Sequence, residues 1–430
     1  MDFARSAHPA VAAQLARLEA LSPGGDRLGL ERITALLDRV GNPHHQLPPV
    51  LHVAGTNGKG STCAFLRAAL EAADHRVHVF TSPHLVRFNE RIRLAGRLIN
   101  DDHLAALLEE VLDASDAIAP SFFEATAAAA FLAFARTPAD ALVLEVGMGG
   151  RLDATNVVPR PAATGIAALG FDHQQWLGNS LEAIAGEKAG ITKSGVPLVT
   201  LAYPTSVTAR IRSVAEQHGA PVLAQGDEWN SAVEGNSLLY RDRIGELVLP
   251  LPALPGRHQT GNAALAIAML RHQQELEVPN EAFGRGMKDV RWPARLQKLR
   301  QGPLTGEREV WLDGGHNAQA AEELARSIAA LCRGRPLTLV TGILSTKDAA
   351  SLLEPFRGIA HQLLTVSFDH PLALPPADLA ELARSLAFEA KACANIADAL
   401  ARVPDGLPVL IAGSLYLAGE VLALNEEVPD

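Results

Sequence analysis

VLHVAGTNGKGST, Val50 to Thr62, reads as an apolar strand, a glycine-rich turn and the first residues of an amphipathic helix. Glycines at 55, 58 and 60 let the backbone turn its N–H groups inward around phosphate oxygens. The helix N-terminus adds partial positive charge and Lys59 a point charge, so Asn57, Gly58, Lys59, Gly60 and Ser61 form a candidate phosphate loop. The pattern departs from GxxxxGK[ST], because its glycines stand closer together and Gly60 separates Lys59 from Ser61. The plain alternative is a glycine-rich turn with a solvated lysine. Strand and helix both lie where phosphate binding needs them, which favours the nucleotide.

On both sides of this stretch, short β-branched runs alternate with helical patterns. Strands are expected at Val50–Ala54, Val77–Thr81, Leu142–Val146, Ala163–Leu169 and Val196–Leu201. Near-continuous apolar strands separated by helices predict a mainly parallel sheet covered on both faces. Near Trp229–Leu251 the rhythm changes to NSLLYRD and GELVLPL around Arg243–Gly245, which predicts a small antiparallel meander. The segment Arg291–Glu309 carries proline, glycine and charge with little periodicity, and the domain boundary is placed inside it. Beyond it strands and helices alternate again as far as Leu424. The expected fold is therefore α/β, with an N-terminal P-loop ATPase-like domain over 1–297 and a smaller C-terminal Rossmann-like domain over 298–430. A ligand is expected to be held between them.

The chain has 430 residues, net charge −10 and 48 Asp and Glu against 38 Lys and Arg, which argues against a broad basic surface for nucleic acid. Its longest apolar stretches, such as Ala125–Ala135, fall short of the ~18 residues of a spanning helix. The N-terminus lacks a signal-peptide pattern, so no membrane association and a cytoplasmic location are expected. Three cysteines, an odd number without CxxC spacing, argue against a disulfide framework or a structural zinc site.

Three further stretches place polar groups past strand ends, where ligands collect in open α/β sheets. LVLEVGMGGRLDATN sets Glu145 at the end of a strand, where a carboxylate can hold Mg²⁺ against phosphates. FTSPHLVRFNERI sets Thr81 and Ser82 past another, and GFDHQQWLG sets Asp172 and His173 past a third. Singly, each has an ordinary explanation as a cap or a satisfied strand-end group. Their common edge with the phosphate loop points to a metal site. In NSLEAIAGEKAGI, Lys188 stands beside Glu187 and by itself reads as a snorkelling or ion-paired lysine.

Together HVAGTNGKGST, TSPHLVRFNERI, LEVGMGGRLDATN, DHQQWLG, GEKAGI, WPARLQ, DGGHN and GSLYLAGEVL resemble the folylpolyglutamate synthase/dihydrofolate synthase family. This is a branch of the ATP-dependent ligases that includes the Mur peptidoglycan ligases. The matches run from about Leu28 to Leu424, in family order and spacing, and the type they most resemble is the bifunctional bacterial one.

The resemblance implies that residues 57–60 bind ATP and that Ser82, Glu145 and His173 ligate magnesium, with two ions expected. It implies that Lys188 is carbamylated, so that a cation becomes an anion supporting the metal site. Asn262, Arg295 and Asp313 are implied to complete the nucleotide site, and His316 to reach the γ-phosphate or acyl phosphate. The implied dihydropteroate contacts are Asp26, Arg27 and Leu28, then Ser121, Phe122, Phe123 and Glu124, then Leu152, Asp153 and Ala154. One departure is Thr346 in GILSTKD, where the family often has an acid, so Lys347 and Asp348 are left without a role.

The implied reaction joins L-glutamate to dihydropteroate or to reduced folates, with ATP as co-substrate. A carboxylate is a poor electrophile, so ATP must first convert it to an acyl phosphate that the glutamate amine attacks. Phosphoryl transfer needs positioning and charge neutralisation, and no protein nucleophile. The expected partners are these small molecules alone, with the chain a monomer. A monofunctional folylpolyglutamate synthase, a Mur-type ligase and a P-loop ATPase switch are the alternatives. The Mur reading is disfavoured because only about 47 residues precede the first strand, too few for an added sugar-nucleotide domain.

Overall fold

The computed structural model describes residues 4–21 and 28–430. Its central strand β1 (Val50–Ala54) is buried at all five positions. It pairs in parallel with Ala141–Glu145 on one side and Ala163–Ile166 on the other, in a register that sets Val53 beside Glu145 and Ala54 beside Ile166. An unbroken apolar strand follows from cover on both faces, as VLHVA predicts.

The other strands of this sheet are β2 (Val77–Phe80), β3 (Ile92–Leu94), β4 (Arg97–Leu98), β5 (Ala141–Glu145), β6 (Ala163–Ile166), β7 (Leu198–Thr200) and β8 (Val222–Ala224). Their order is β4-β3-β2-β5-β1-β6-β7-β8, parallel except that β3 runs antiparallel to both its neighbours, β2 and β4. The chain crosses from one side of β1 to the other between β5 and β6, so the strand-order switch falls at β1. Ligands bind at the carboxyl ends of strands at such a point, and the glycine-rich loop leaves β1 there.

The change of rhythm near Trp229 is an antiparallel meander of β9 (Trp229–Glu234), β10 (Ser237–Asp242) and β11 (Gly245–Pro250). Period-two alternation buries Leu238, Tyr240, Leu247 and Leu249 while Val248 faces out. The helix Arg257–His272 follows the meander. Farther on, Gly286 lets the helix Asn280–Asp289 approach the helix Lys59–Ala72, since a Cβ there would stand 2.9 Å from the Ala69 backbone.

A second six-stranded sheet is built from β12 (Gln297–Lys298), β13 (Val310–Leu312), β14 (Leu337–Thr341), β15 (Ala360–Thr365), β16 (Ala390–Ala392) and β17 (Val409–Ala412). The order is β12-β13-β17-β14-β15-β16, parallel apart from β12. β12 and β16 were not expected, because two or three residues with an exposed lysine carry no apolar run. The chain divides into two compact units, 1–253 with 259–291, and 254–258 with 292–430. Pairing of Gln297 and Lys298 with β13 draws the end of the linker into the second unit. Among the described residues no helix is long and apolar enough to cross a membrane.

Candidate active site

The phosphate loop opens the helix Lys59–Ala72, with Gly58 as its N-cap at φ 81°. Only a glycine fits there, because the Asn262 side-chain amide lies where a Cβ would stand. The N–H groups of Thr56 and Asn57 both donate to the Ala168 carbonyl, at 2.9 and 3.0 Å, which ties the loop to the segment after β6. The first intrahelical bond is from Thr62 to Gly58, so the N–H groups of Lys59, Gly60 and Ser61 are left for an anion. The Lys59 ammonium donates to the Gly55 and Thr56 carbonyls at 3.1 and 3.3 Å.

Lys188 lies directly behind this loop. Its neighbour Glu187 points away and pairs with Arg151 at 3.0 Å, whereas Lys188 is 4 % exposed and donates to the Gly55 carbonyl at 2.9 Å. The snorkelling reading of this lysine is thereby corrected. Burial, then repulsion from Lys59, lowers its pKa to about 7 against the pull of Asp172 and Asp153. Gly150 packs on the end of the same helix, where a Cβ would stand 2.9 Å from the Glu187 and Lys188 carbonyls.

Glu145, the last residue of β5, is buried and accepts the Ser82 N–H at 3.2 Å. Ser82 is held there because the loop behind it folds around Glu90, whose carboxylate accepts the N–H groups of Leu85, Val86 and Arg87 at 2.7 to 2.9 Å. His173 is exposed, has φ 51° and caps the one-turn helix Gln174–Leu177, seven residues beyond the end of β6 at Ile166. Among the described residues no three His, Cys, Asp or Glu side chains are grouped closely enough to hold a metal ion. Ser82 and Glu145 are thus brought together. A buried carboxylate beside a serine, with phosphate oxygens able to fill further positions, suits a hard cation such as Mg²⁺.

A buried relay fastens the GMGGRLDATN loop to β1. Asp153 accepts the Thr155 hydroxyl at 2.5 Å, the Thr155 N–H at 3.0 Å and the Met148 N–H at 2.8 Å. The Thr155 hydroxyl lies 2.8 Å from His52 Nε2 on β1, and its one proton goes to Asp153, so His52 Nε2 is the donor. Burial lowers the His52 pKa to about 3, with Lys193 adding to the effect, and the ring is neutral. Sequence reasoning missed His52, whose signal is a polar residue in an otherwise apolar strand.

The implied pteroate residues divide into two kinds. Asp26 and Arg27 lie outside the described residues. Ser121 and Glu124 form the capping box of the helix Phe122–Arg136, and Glu124 also pairs with Arg32 at 2.9 Å. Phe122, Asp153 and Ala154 are buried. Half-buried Leu28, Phe123 and Leu152 are the members able to present a side chain. Phe123 joins two of the segments, since its ring lies where a Cβ on Gly147 would stand.

Asn262 is buried on the helix Arg257–His272, and its amide donates to Gln259 Oε1 at 3.0 Å. Gln259, one turn earlier and fully buried, is a second residue that sequence reasoning missed. In the other unit, Arg295, Asp313 and His316 converge. The Asp313 carboxylate accepts the N–H groups of Leu296 and Gly315 at 2.8 and 2.7 Å. Gly314 N–H donates to the Ala294 carbonyl at 2.9 Å, and the Gly314 carbonyl lies 3.0 Å from His316 Nδ1. Arg295 is half-buried between two residues of positive φ, Ala294 and Leu296. Asp348 caps the helix Ala349–Leu353, an ordinary structural use.

Two family models match the chain: the Mur ligase middle domain over residues 53–270, and the C-terminal domain of dihydrofolate synthetase over residues 298–424. The dihydrofolate synthase/folylpolyglutamate synthase of Bacillus subtilis is 35% identical over 419 residues, covering 92% of this chain and 95% of that protein. The Escherichia coli enzyme of the same name is 35% identical, covering 96% and 94%. E. coli FolC in complex with DHPP and ADP superposes with a TM-score of 0.89 at 33% identity, over 99% of both chains. A bifunctional folylpolyglutamate synthase/dihydrofolate synthase with Mn, AMPPNP and L-glutamate bound gives 0.85 at 31% identity, over 98% of this chain and 99% of that one. With relatives this similar along nearly their whole length, and a phosphate loop, Glu145 and Lys188 gathered at one end of its sheet, the chain belongs to the dihydrofolate synthase/folylpolyglutamate synthase family.

Proposed function

We infer that this chain ligates L-glutamate to 7,8-dihydropteroate, forming dihydrofolate, and to the glutamyl tail of reduced folates, with ATP as co-substrate and a divalent metal. Family membership supports the reaction. The observation that carries the site is the pair of lysines, Lys59 and Lys188, on the carbonyl of Gly55 at the mouth of the phosphate loop.

A carboxylate oxygen of the folate substrate attacks the γ-phosphorus, ADP leaves, and an acyl phosphate forms. The glutamate amine then attacks the acyl carbon, phosphate departs and the amide remains. Lys59 and the first-turn N–H groups hold the phosphates and offset the charge that builds on them. Magnesium ions, two of them, held by Ser82, Glu145 and His173, supply further charge neutralisation when bound. Lys188 adds CO₂ to its neutral amine, releasing one proton, and the carbamate places an anion beside those ligands. Its remaining N–H still serves the Gly55 carbonyl.

Asn262, Arg295 and Asp313 contact the nucleotide, and His316 the transferred phosphate. Leu28, Phe123 and Leu152 meet the pteroate, on a frame kept in place by Ser121, Glu124 and Asp153. On this reading residues 1–297 bind ATP and folate, 298–430 form the ligase domain, and the protein acts as a cytoplasmic monomer on small molecules.

The test is incorporation of radiolabelled glutamate, with ATP and magnesium, into dihydropteroate and tetrahydrofolate offered separately. Both acceptors should be labelled. Label in tetrahydrofolate alone would make the chain a monofunctional folylpolyglutamate synthase. ATP turnover indifferent to glutamate and pteroate would overturn the ligase reading.

A further inference from the structure

A second cleft, of about 960 Å³, opens at the amino ends of β6, β7 and β8, the edge of the large sheet opposite to the phosphate loop. Ala162, Pro197 and Pro221 line it, each immediately before the first residue of one of these strands. The four residues of β6 separate its floor from the catalytic edge by about 13 Å.

His272, at the end of the helix Arg257–His272, faces this cleft. Its side chain is 1 % exposed, and among the described residues neither ring nitrogen makes a hydrogen bond. The nearest candidate partner, Asp242, has its carboxylate 3.4 Å from Nε2. That carboxylate already accepts five donors: Nε and Nη2 of Arg271, the Tyr240 hydroxyl, and the N–H groups of Ile244 and Gly245. An imidazole buried without a partner is costly unless something else meets it.

The charged groups around the opening are mostly paired within the protein. Arg241 holds Glu246, and Arg212 holds Asp227 and Glu228. Arg160 and Arg243, both exposed and both lining the cleft, have no ion pair or hydrogen bond among the described residues. Of the carboxylates lining the cleft, Glu275 is the one without an ion pair among the described residues, and Asp227 and Glu228 share one arginine. Val196 and Leu223 give the same lining an apolar part.

We propose that this cleft binds a phosphate monoester of a small organic molecule, its phosphate between Arg160 and Arg243, hydrogen-bonded by His272, and its organic part on Val196 and Leu223. Two guanidinium groups and an imidazole N–H provide the donors a phosphate group takes up. The volume exceeds what inorganic phosphate fills, which is why the ester is preferred.

The experiment is calorimetric titration of phenyl phosphate into the full chain saturated with ADP and magnesium, so that the catalytic phosphate loop is filled. One saturable site is expected. It should weaken at least tenfold in the Arg160→Ala/Arg243→Ala double variant, whose exposed positions leave folding intact, and several-fold in His272→Gln. Lys59→Ala should leave it unchanged. Absence of saturable binding, undiminished binding in the double variant, or loss in Lys59→Ala would overturn the proposal. Phenol or inorganic phosphate binding as tightly as phenyl phosphate would equally do so.

Discussion

Lys59 and Lys188 donate hydrogen bonds to one backbone oxygen, that of Gly55, at 3.1 and 2.9 Å. Burial, and then the repulsion between two ammonium groups on one acceptor, lowers Lys188 to about 7. Near neutral pH the site therefore contains, beside Lys59, a second lysine able to give up its proton.

This sets the behaviour expected of Lys188. Its neutral amine grows in population as pH rises through about 7, so at fixed dissolved CO₂ carbamylation and activity should rise together between pH 6 and 8. A carbamate signal in ¹³C NMR after ¹³CO₂ enrichment, lost in Lys188→Ala, is the direct readout. The variant should lose at least about 100-fold in rate and recover partly with propionate. Stability gives an independent check. The folded pKa is depressed, so between about 7 and 10.5 the unfolded chain binds the extra proton and stability rises with pH. Lys188→Met should flatten that rise.

Lys59→Ala removes a half-buried side chain whose visible partners are two loop carbonyls. Ligation should fall by roughly 10²–10³, as for other groups that stabilise transition-state charge. The melting temperature should move by only a few degrees. Near-normal turnover in a folded variant would remove the phosphate-loop assignment.

Glu145→Gln retains an oxygen for the Ser82 N–H, at 3.2 Å in the parent, while removing one negative charge. Initial rates measured against magnesium concentration should show half-saturation at least tenfold higher. An unchanged magnesium profile would detach Glu145 from the metal.

For Asp153→Ala the hydrogen bonds matter more than the segment's match to a pteroate contact. Its carboxylate holds Met148 and Thr155 within the loop, so both glutamylation reactions should fall in similar proportion. The lost bonds should cost about 1–3 kcal/mol in denaturant unfolding. A loss confined to the dihydropteroate reaction would show that Asp153 reaches the substrate instead.

His52 predicts the acid limb of stability. With its folded pKa near 3, the unfolded chain takes up a proton below about 6.5 that the folded ring refuses, so stability falls as pH falls across that window. His52→Gln keeps a donor for Thr155 and titrates nowhere in that range. It should reduce the slope by up to about 1.4 kcal/mol per pH unit in equilibrium unfolding.

Much of this architecture was legible in local patterns. VLHVA is continuous because β1 is covered on both faces, and NSLLYRD alternates because the meander has one buried face. The glycine loop could be located because strand, turn and helix each have a signature in neighbouring residues. Ser121 and Glu124 carried one too: S-x-x-E before an apolar run marks a capping box, and the structure shows that use.

Lys188 marks where local reading stops. One residue along a helix turns the side chain by about 100°, so Glu187 reaches Arg151 while Lys188 enters the protein. Nothing in GEKAGI says which of the two faces inward. That depends on Gly150 packing against the helix end and on Gly55 arriving from a strand more than a hundred residues away. The same holds for His52 and Asp153, distant in the chain and joined through Thr155. The sequence alone determined the order of elements and the phosphate loop, because these rest on bonding between neighbours. Only the tertiary structure decided which polar groups lost water and which charges met, because burial and Coulomb interaction depend on what lies nearby in space.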